Sequence, residues 1–265
     1  DFNSDGYQDL YIVSGDTEAP EGEMYQDRLY LNDGAANFTK SIQAIPKIVS
    51  SGEYALSLDF DNDGDMDIFR GGRTVPDKYP YAPQSYLLEN NGKGLFKDVT
   101  DEKANVLKKC GMITSGEWVD LIGDKSKELV LCGDWLGIKI YSWDGQKFIE
   151  VDVSHLGLDR QEGWWSKLIA TDIDQDGDID LVCGNLGENY KFHTSAEKPF
   201  QVFCNDFDQN GTYDIILTKY NGNDIVPIRG KQCSQEQIPS IKSKFPTFKS
   251  FANANLNDLY GESLE

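Results

Sequence analysis

One ten-residue phrase recurs along the chain and limits the folds it can adopt. Asp172-Ile173-Asp174-Gln175-Asp176-Gly177-Asp178-Ile179-Asp180-Leu181 sets acidic side chains at positions 1, 3, 5 and 9 of a loop that turns on a glycine and enters an apolar strand. Alternate side chains of a tight turn converge, so this spacing predicts an oxygen cage for a hard cation. Calcium suits it best, since it takes about six to eight oxygens in flexible geometry. Asp178, at position 7, offers its backbone carbonyl, and Gly177 permits the turn that aims it. An EF-hand would need Glu at position 12, where Cys183 stands, so this is a calcium loop between strands.

Asp59-Phe60-Asp61-Asn62-Asp63-Gly64-Asp65-Met66-Asp67 is a full copy, and the chain opens on another, Asp1-Phe2-Asn3-Ser4-Asp5-Gly6-Tyr7-Gln8-Asp9. Asp206-Phe207-Asp208-Gln209-Asn210-Gly211-Thr212-Tyr213-Asp214 carries Asn at position 5, which still supplies an oxygen. In these copies Tyr7, Asp65 and Thr212 take the position-7 role of Asp178. The copy at 120–129 keeps Asp120, Asp124 and Glu128 but has Ile122 at position 3 and Lys125 in place of the glycine. The expectation is about four calcium sites and one metal-free relic.

The formal net charge of −20 disfavours nucleic acid and anionic membrane as partners. Much of it is ligand, so calcium should stabilise the fold. The five cysteines have no zinc-like spacing. Cys132 and Cys183 read as small apolar packing residues at equivalent strand positions. No run of 18 apolar residues is present to cross a membrane. Because the chain begins inside its own motif, it reads as a segment of a longer protein. Filling such loops favours an extracellular or periplasmic setting.

Around each loop the strand signals repeat. An alternating apolar segment precedes it, such as Tyr54-Ala55-Leu56-Ser57-Leu58, and a short apolar run follows. In the first three units a third strand enters an Asp-Gly or Asn-Gly turn, as in Leu29-Tyr30-Leu31-Asn32-Asp33-Gly34, and a fourth strand returns. Four antiparallel strands per unit predict an all-β fold, a β-propeller of four-stranded blades. Residues 1–265 would form one propeller segment, with units starting near 1, 50, 111, 163 and 200. The interval between the loops at 172 and 206 is short, through either lost outer strands or a different loop placement. Residues 234–260 read as a helical insertion, with Ile241, Phe245, Phe248 and Phe251 spaced by three and four.

The loops and strand pairs resemble the FG-GAP/VCBS repeat family, which builds integrin α-type calcium propellers. The stretches Asp27-Arg28-Leu29-Tyr30-Leu31-Asn32-Asp33-Gly34, Gly163-Trp164-Trp165-Ser166, Gly184-Asn185-Leu186-Gly187-Glu188-Asn189 and Gln237-Ile238-Pro239-Ser240 are similar to bacterial surface proteins of the cartilage-acidic-protein/UnbV-associated type, typical of Bacteroidota. The resemblance implies a seven-bladed propeller, of which this chain is part. It also implies recognition, adhesion or scaffolding at the bacterial outer membrane, with a lipid anchor as one means of attachment.

No nucleophile elbow, zinc-protease motif or phosphate-binding loop is present, and His155 and His193 read as surface residues. The expectation is therefore a non-enzymatic module that binds protein or glycan. The alternatives are a glycan lyase or hydrolase on a propeller scaffold, or an accessory subunit of an outer-membrane complex. Ligand contacts are expected on the connections at 14–27, 71–84, 133–137 and 184–200, opposite the calcium loops. These carry Arg70, Arg73, Tyr79, Tyr81, Trp135, Asn185, Asn189 and Tyr190, of which aromatic and Arg side chains are common interface anchors.

Overall fold

The computed structural model describes residues 1–158, 161–187, 189–261 and 264. Glu188, within the Gly184-to-Asn189 stretch, lies outside them. The chain divides into two compact units, Asp1–Pro76 with Tyr81–Gly187, and Asp77–Pro80 with Glu188–Glu265. The fold is all-β and β-propeller-like.

In the first unit, strands β1 (Leu10–Ile12), β2 (Arg28–Asn32) and β3 (Phe38–Lys40) form one antiparallel sheet. A second holds β4 (Ser51–Leu58), β5 (Asp67–Thr74), β6 (Tyr86–Asn90) and β7 (Phe96–Asp98), followed by helix α1 (Thr100–Lys103). A third holds β8 (Met112–Val119), β9 (Glu128–Leu136), β10 (Lys139–Trp143) and β11 (Phe148–Glu150). Strands β12 (Gly163–Thr171) and β13 (Asp180–Asn185) pair with each other, and β12 touches β9 through Gly163 and Trp164. Among the described residues no third strand follows β13 in that sheet, which accounts for the short interval before the loop at 206.

Adjacent sheets pack face to face, as propeller blades do. Leu29 and Ile48 meet Ile68, Tyr86 and Leu88 between the first and second sheets. Leu58, Phe60, Phe69 and Leu87 meet Ile113, Leu129, Leu131, Tyr141 and Phe148 between the second and third. Val130, Cys132 and Ile140 meet Leu168, Leu181 and Cys183 next. Each fully buried side chain of this size contributes about 1.5–3 kcal/mol.

Cys132 pairs with Ser115, whereas Cys183 pairs with Leu168, one step nearer the loop. The two cysteines are therefore not equivalent. With a period of two, a one-residue offset turns them to opposite faces of their own sheets, and so toward one shared interface. Burial pushes the Cys132 thiol up to about 11 and raises Cys183 as well.

In the second unit, β14 (Gln201–Asn205), β15 (Asp214–Asn221) and β16 (Asp224–Pro227) form a sheet. Helices α2 (Lys231–Gln237), α3 (Ser240–Lys244), α4 (Phe248–Ala252) and α5 (Leu256–Tyr260) follow it. Ile238, Ile241, Phe251, Leu256 and Leu259 pack with Ile216, Phe203 and Ile225 of the sheet. Phe248 departs from the expected apolar face and is 71% exposed. The helix breaks before Pro246, and α4 restarts on a capping box between Thr247 and Ser250, so the earlier periodicity does not carry through.

Strand β5 continues through Arg70-Gly71-Gly72-Arg73, residues the sequence assigned to the following connection. The two glycines are there because neighbours leave no room for a side chain. A Cβ on Gly71 would stand 2.8 Å from the Ile113 side chain, and one on Gly72 would stand 2.6 Å from the Gln84 carbonyl. The first strand carries a β-bulge at Glu53, Thr114 and Ser166 in three successive sheets, each six residues before its loop. Such bulges strengthen twist and re-aim the strand end.

Arg70 is fully buried and is not available as a recognition residue. Its Nε donates to Asp27 Oδ2 at 3.0 Å, Nη1 to Ser50 Oγ at 3.0 Å, and Nη2 to the carbonyls of Ser50 (2.6 Å) and Ser14 (3.1 Å). Asp27 also accepts from the Ser14 amide (2.7 Å) and the Tyr11 hydroxyl (2.6 Å). Gly52 leaves the space the guanidinium fills. The network ties the first sheet to the second. Breaking a buried pair from one side leaves an unpaired charge, so Arg70→Met should cost about 3–5 kcal/mol in chemical denaturation. Arg70→Met with Asp27→Leu should cost less than the two single losses added together; an additive loss would refute this account.

Candidate metal centre

The five loops share one backbone. Ser4, Asn62, Gln175 and Gln209 at position 4 lie at φ 59–64°, and Gly6, Gly64, Gly177 and Gly211 at position 6 lie at φ 88–99°. The relic adopts the same path, with Gly123 at φ 79° and Lys125 at φ 75°. A lysine in the left-handed region is uncommon, so the hydrogen bonds of the loop hold it there.

Those bonds recur. The position-1 carboxylate accepts the position-6 amide in all five loops: Gly6 to Asp1 (2.7 Å), Gly64 to Asp59 (3.2 Å), Lys125 to Asp120 (3.0 Å), Gly177 to Asp172 (3.1 Å) and Gly211 to Asp206 (2.8 Å). Position 5 accepts from position 7, through Asp5, Asp63, Asp176 and Asn210. The position-9 carboxylates Asp9, Asp67, Asp180 and Asp214 accept the position-2 amide at 2.7–3.4 Å. In the relic the longer Glu128 accepts two amides, Leu121 and Ile122.

These bonds leave particular oxygens over. Asp59 Oδ1, Asp61 Oδ1, Asp172 Oδ1 and Asn3 Oδ1 are four of the six described side-chain atoms that are buried without a hydrogen-bond partner. All four lie at loop positions 1 and 3. Buried oxygens are ordinarily satisfied, so the orphan oxygens at these loop positions fit a cation that takes oxygen ligands. Ligand oxygens of Asp59, Asp61 and Asp67, of Asp172, Asp174 and Asp180, and of Asp206, Asp208 and Asp214 lie within 4.8 Å of one another in each loop. Each of these acidic clusters could bind a metal. In the first loop Asn3 replaces the middle carboxylate.

Position 7 points its side chain outward. A Cβ on Gly34 would strike the Tyr7 ring, and one on Gly92 would come within 2.7 Å of the Asp65 carboxylate. Both hairpin glycines have positive φ, at 77° and 72°. The outer turn thus needs glycine partly because the loop leans on it.

The sequence reading missed Asn32 and Asn90, the last residues of β2 and β6. Their amides donate to Asp9 (2.9 Å) and Asp67 (2.8 Å), and their side-chain Nδ2 groups donate to the carbonyls of Gln8 (3.0 Å) and Met66 (3.1 Å). Each asparagine clamps the end of its loop to the third strand. In the third sheet the matching residue is Trp143, opposite Phe148, in the unit whose loop lacks the intact ligand set. Asn before the hairpin glycine was the available signal.

The residues expected on the opposite end fall in both units. Arg73, Tyr81, Trp135 and Asn185 belong to the first, and Tyr79, Asn189 and Tyr190 to the second. Arg73 pairs with Glu53 and with Asp134, the latter at 2.6 Å. The Trp135 and Trp164 rings meet edge to face at 5.2 Å, and Asn185 lies opposite Trp165 and against Gly163. Trp165 packs between the third and fourth sheets. Tyr81 is exposed, and Tyr190 meets Phe192 edge to face at 5.0 Å.

Burial pushes the Asp67 carboxyl up to about 7 against its backbone hydrogen bonds, and Asp61 and Asp63 add to the rise. Asp214 is raised by burial too. The ion-free fold therefore binds a proton that an unfolded chain, at about 3.9, releases. Its stability should rise as pH falls from about 7 toward 4. A bound divalent cation reverses the sign, because protonation displaces it. Thermal melts at pH 7.5 and 5.5 should move upward on acidification in chelator and downward in millimolar calcium. Equal shifts in both media would refute the metal assignment.

Residues 1–70, which span the first two loops, match the family model of the FG-GAP-like repeat. No curated protein matches the chain. Among solved structures, an Agrocybe aegerita lectin, described for specific recognition of non-reducing terminal N-acetylglucosamine, is similar at 15% identity and a TM-score of 0.37. The alignment covers 82% of this chain and 64% of the lectin, so the chain spans less than two thirds of that protein's length.

Proposed function

We propose that the chain is a calcium-stabilised, non-catalytic recognition module that acts outside the cell, as part of a seven-bladed propeller at a bacterial surface. Its ligand is a glycan held at the end of the first unit remote from the metal loops. The eight residues of β5 separate the two ends by roughly 25 Å at ordinary strand rise.

The observation that carries this reading is Trp135. It sits at φ 56°, an outlier for a bulky side chain, with its ring edge to face on Trp164. Both indoles are partly exposed, and Asp134 beside them holds Arg73. Aromatic faces beside an Arg, two carboxylates and the exposed Asn185 offer apolar area with fixed hydrogen-bonding groups, which suits a sugar ring. The described carboxylates that burial raises, Asp67, Asp214 and Glu128, all occupy loop position 9, where they hold backbone amides. Holding amides there supports a structural role for them over acid–base work.

An array of neutral and acidic oligosaccharides, probed in millimolar calcium, tests the reading. Trp135→Ala and Trp164→Ala should each weaken the strongest interaction at least about tenfold, since such anchors are worth about 2 kcal/mol or more. Chelator melting shifts should stay as in the parent chain. Unchanged binding in both variants would overturn the assignment of the ligand to this end.

A further inference from the structure

Among the described residues, one intact metal loop differs from the others in having a lysine ion-paired to one of its carboxylates. Lys103 ends helix α1, and its ammonium lies 3.4 Å from Asp61 Oδ2 and 3.0 Å from Glu89 Oε2. It stands over two rings, 5.0 Å from the Phe60 centroid and 5.8 Å from that of Trp143. Two carboxylates and two aromatic faces fix its position. The contact is to one oxygen of Asp61 only. The other, Oδ1, is buried with no hydrogen-bond partner, as is Asp59 Oδ1. Among the described residues, no ion pair reaches the carboxylates of the 172–180 or 206–214 loops, whose acidic clusters are otherwise alike.

We propose that Lys103 is a resident counter-ion of the 59–67 loop, which keeps the loop folded without metal and makes it the weakest of the intact acidic cages for calcium. The inference rests on the metal reading of the loops and adds an order of filling to it. A fixed positive charge has two effects here. It offsets repulsion among Asp59, Asp61, Asp63 and Asp67 in the ion-free loop, and it repels a divalent cation arriving at the same carboxylates. The contact leaves Asp61 Oδ1 without a partner, so Lys103 competes by charge while that oxygen stays available as a ligand. Only part of the lysine is exposed, with a side-chain exposure of 26%, so solvent screens it incompletely. Loops without such a lysine fill first, and the 59–67 loop fills last.

Calorimetric titration with calcium, on the parent chain and on Lys103→Met, tests this. The parent should show a weak site separate from tighter ones. In Lys103→Met that site should tighten about tenfold, and the gain should shrink in high salt. Melting in chelator should show the variant less stable than the parent, and saturating calcium should narrow the difference. Lys103→Arg should restore the weak site. Adding Asp61→Asn to Lys103→Met should abolish the tightening, which places it at this loop. Unchanged or weaker affinity in Lys103→Met would overturn the proposal. A parent chain that takes up no calcium would overturn the metal reading itself.

Discussion

A carboxylate at the ninth loop position is the joint on which each sheet turns. Asp67 shows the arrangement most fully. One oxygen accepts the Phe60 amide from the start of the loop, and the other accepts the Asn90 amide from the third strand. Asp9 does the same with Phe2 and Asn32. One side chain thus fixes the loop to the second strand that carries it and to the strand beyond. Its burial makes the bare charge costly, and a cation held by the same loop would offset that cost. The loop orders the sheet even before any ligand is considered.

At the other end of the strands the sheets are held by different chemistry. There Arg70 reaches back to Asp27, Ser14 and Ser50, and Arg73 reaches forward to Asp134. Two arginines separated by paired glycines therefore serve neighbours on opposite sides. The glycines let the backbones come close, and the arginines fasten what that closeness brings together. Bulges at Glu53, Thr114 and Ser166 shape this end alone, while the loop end stays regular. One end is standardised by repeated aspartates, and the other varies in residue type from sheet to sheet.

The loops, the strands beside them and the hairpin turns were legible because each is encoded locally. Asp and Gly at fixed spacing dictate loop shape, and alternation marks the strands. Strand β5 past Phe69 was not legible, since Arg-Gly-Gly-Arg opposes strand propensity and only contact with Ile113 and Gln84 explains it. Arg70 looked like a surface anchor for the same reason. Its partners lie 20 to 56 residues away in sequence. The offset of Cys132 from Cys183 was countable from the loop starts, but the shared Leu-Val spelling before Cys183 hid it. Lys103 lies on a short helix whose proximity to Asp61 depends on the whole second sheet.

The loop at 120–129 has a consequence for how such chains change over time. It follows the same path as its siblings with Lys125 where they have glycine, Ile122 where they have an oxygen ligand, and Glu128 closing the turn onto two amides. A full set of oxygen side chains and the geometry of the sheet are thus separable properties. A repeat can lose its oxygen side chains in a few substitutions and remain a sound neighbour to the sheets around it. Gene duplication then has raw material that is free to acquire new side chains on that rim without endangering the architecture.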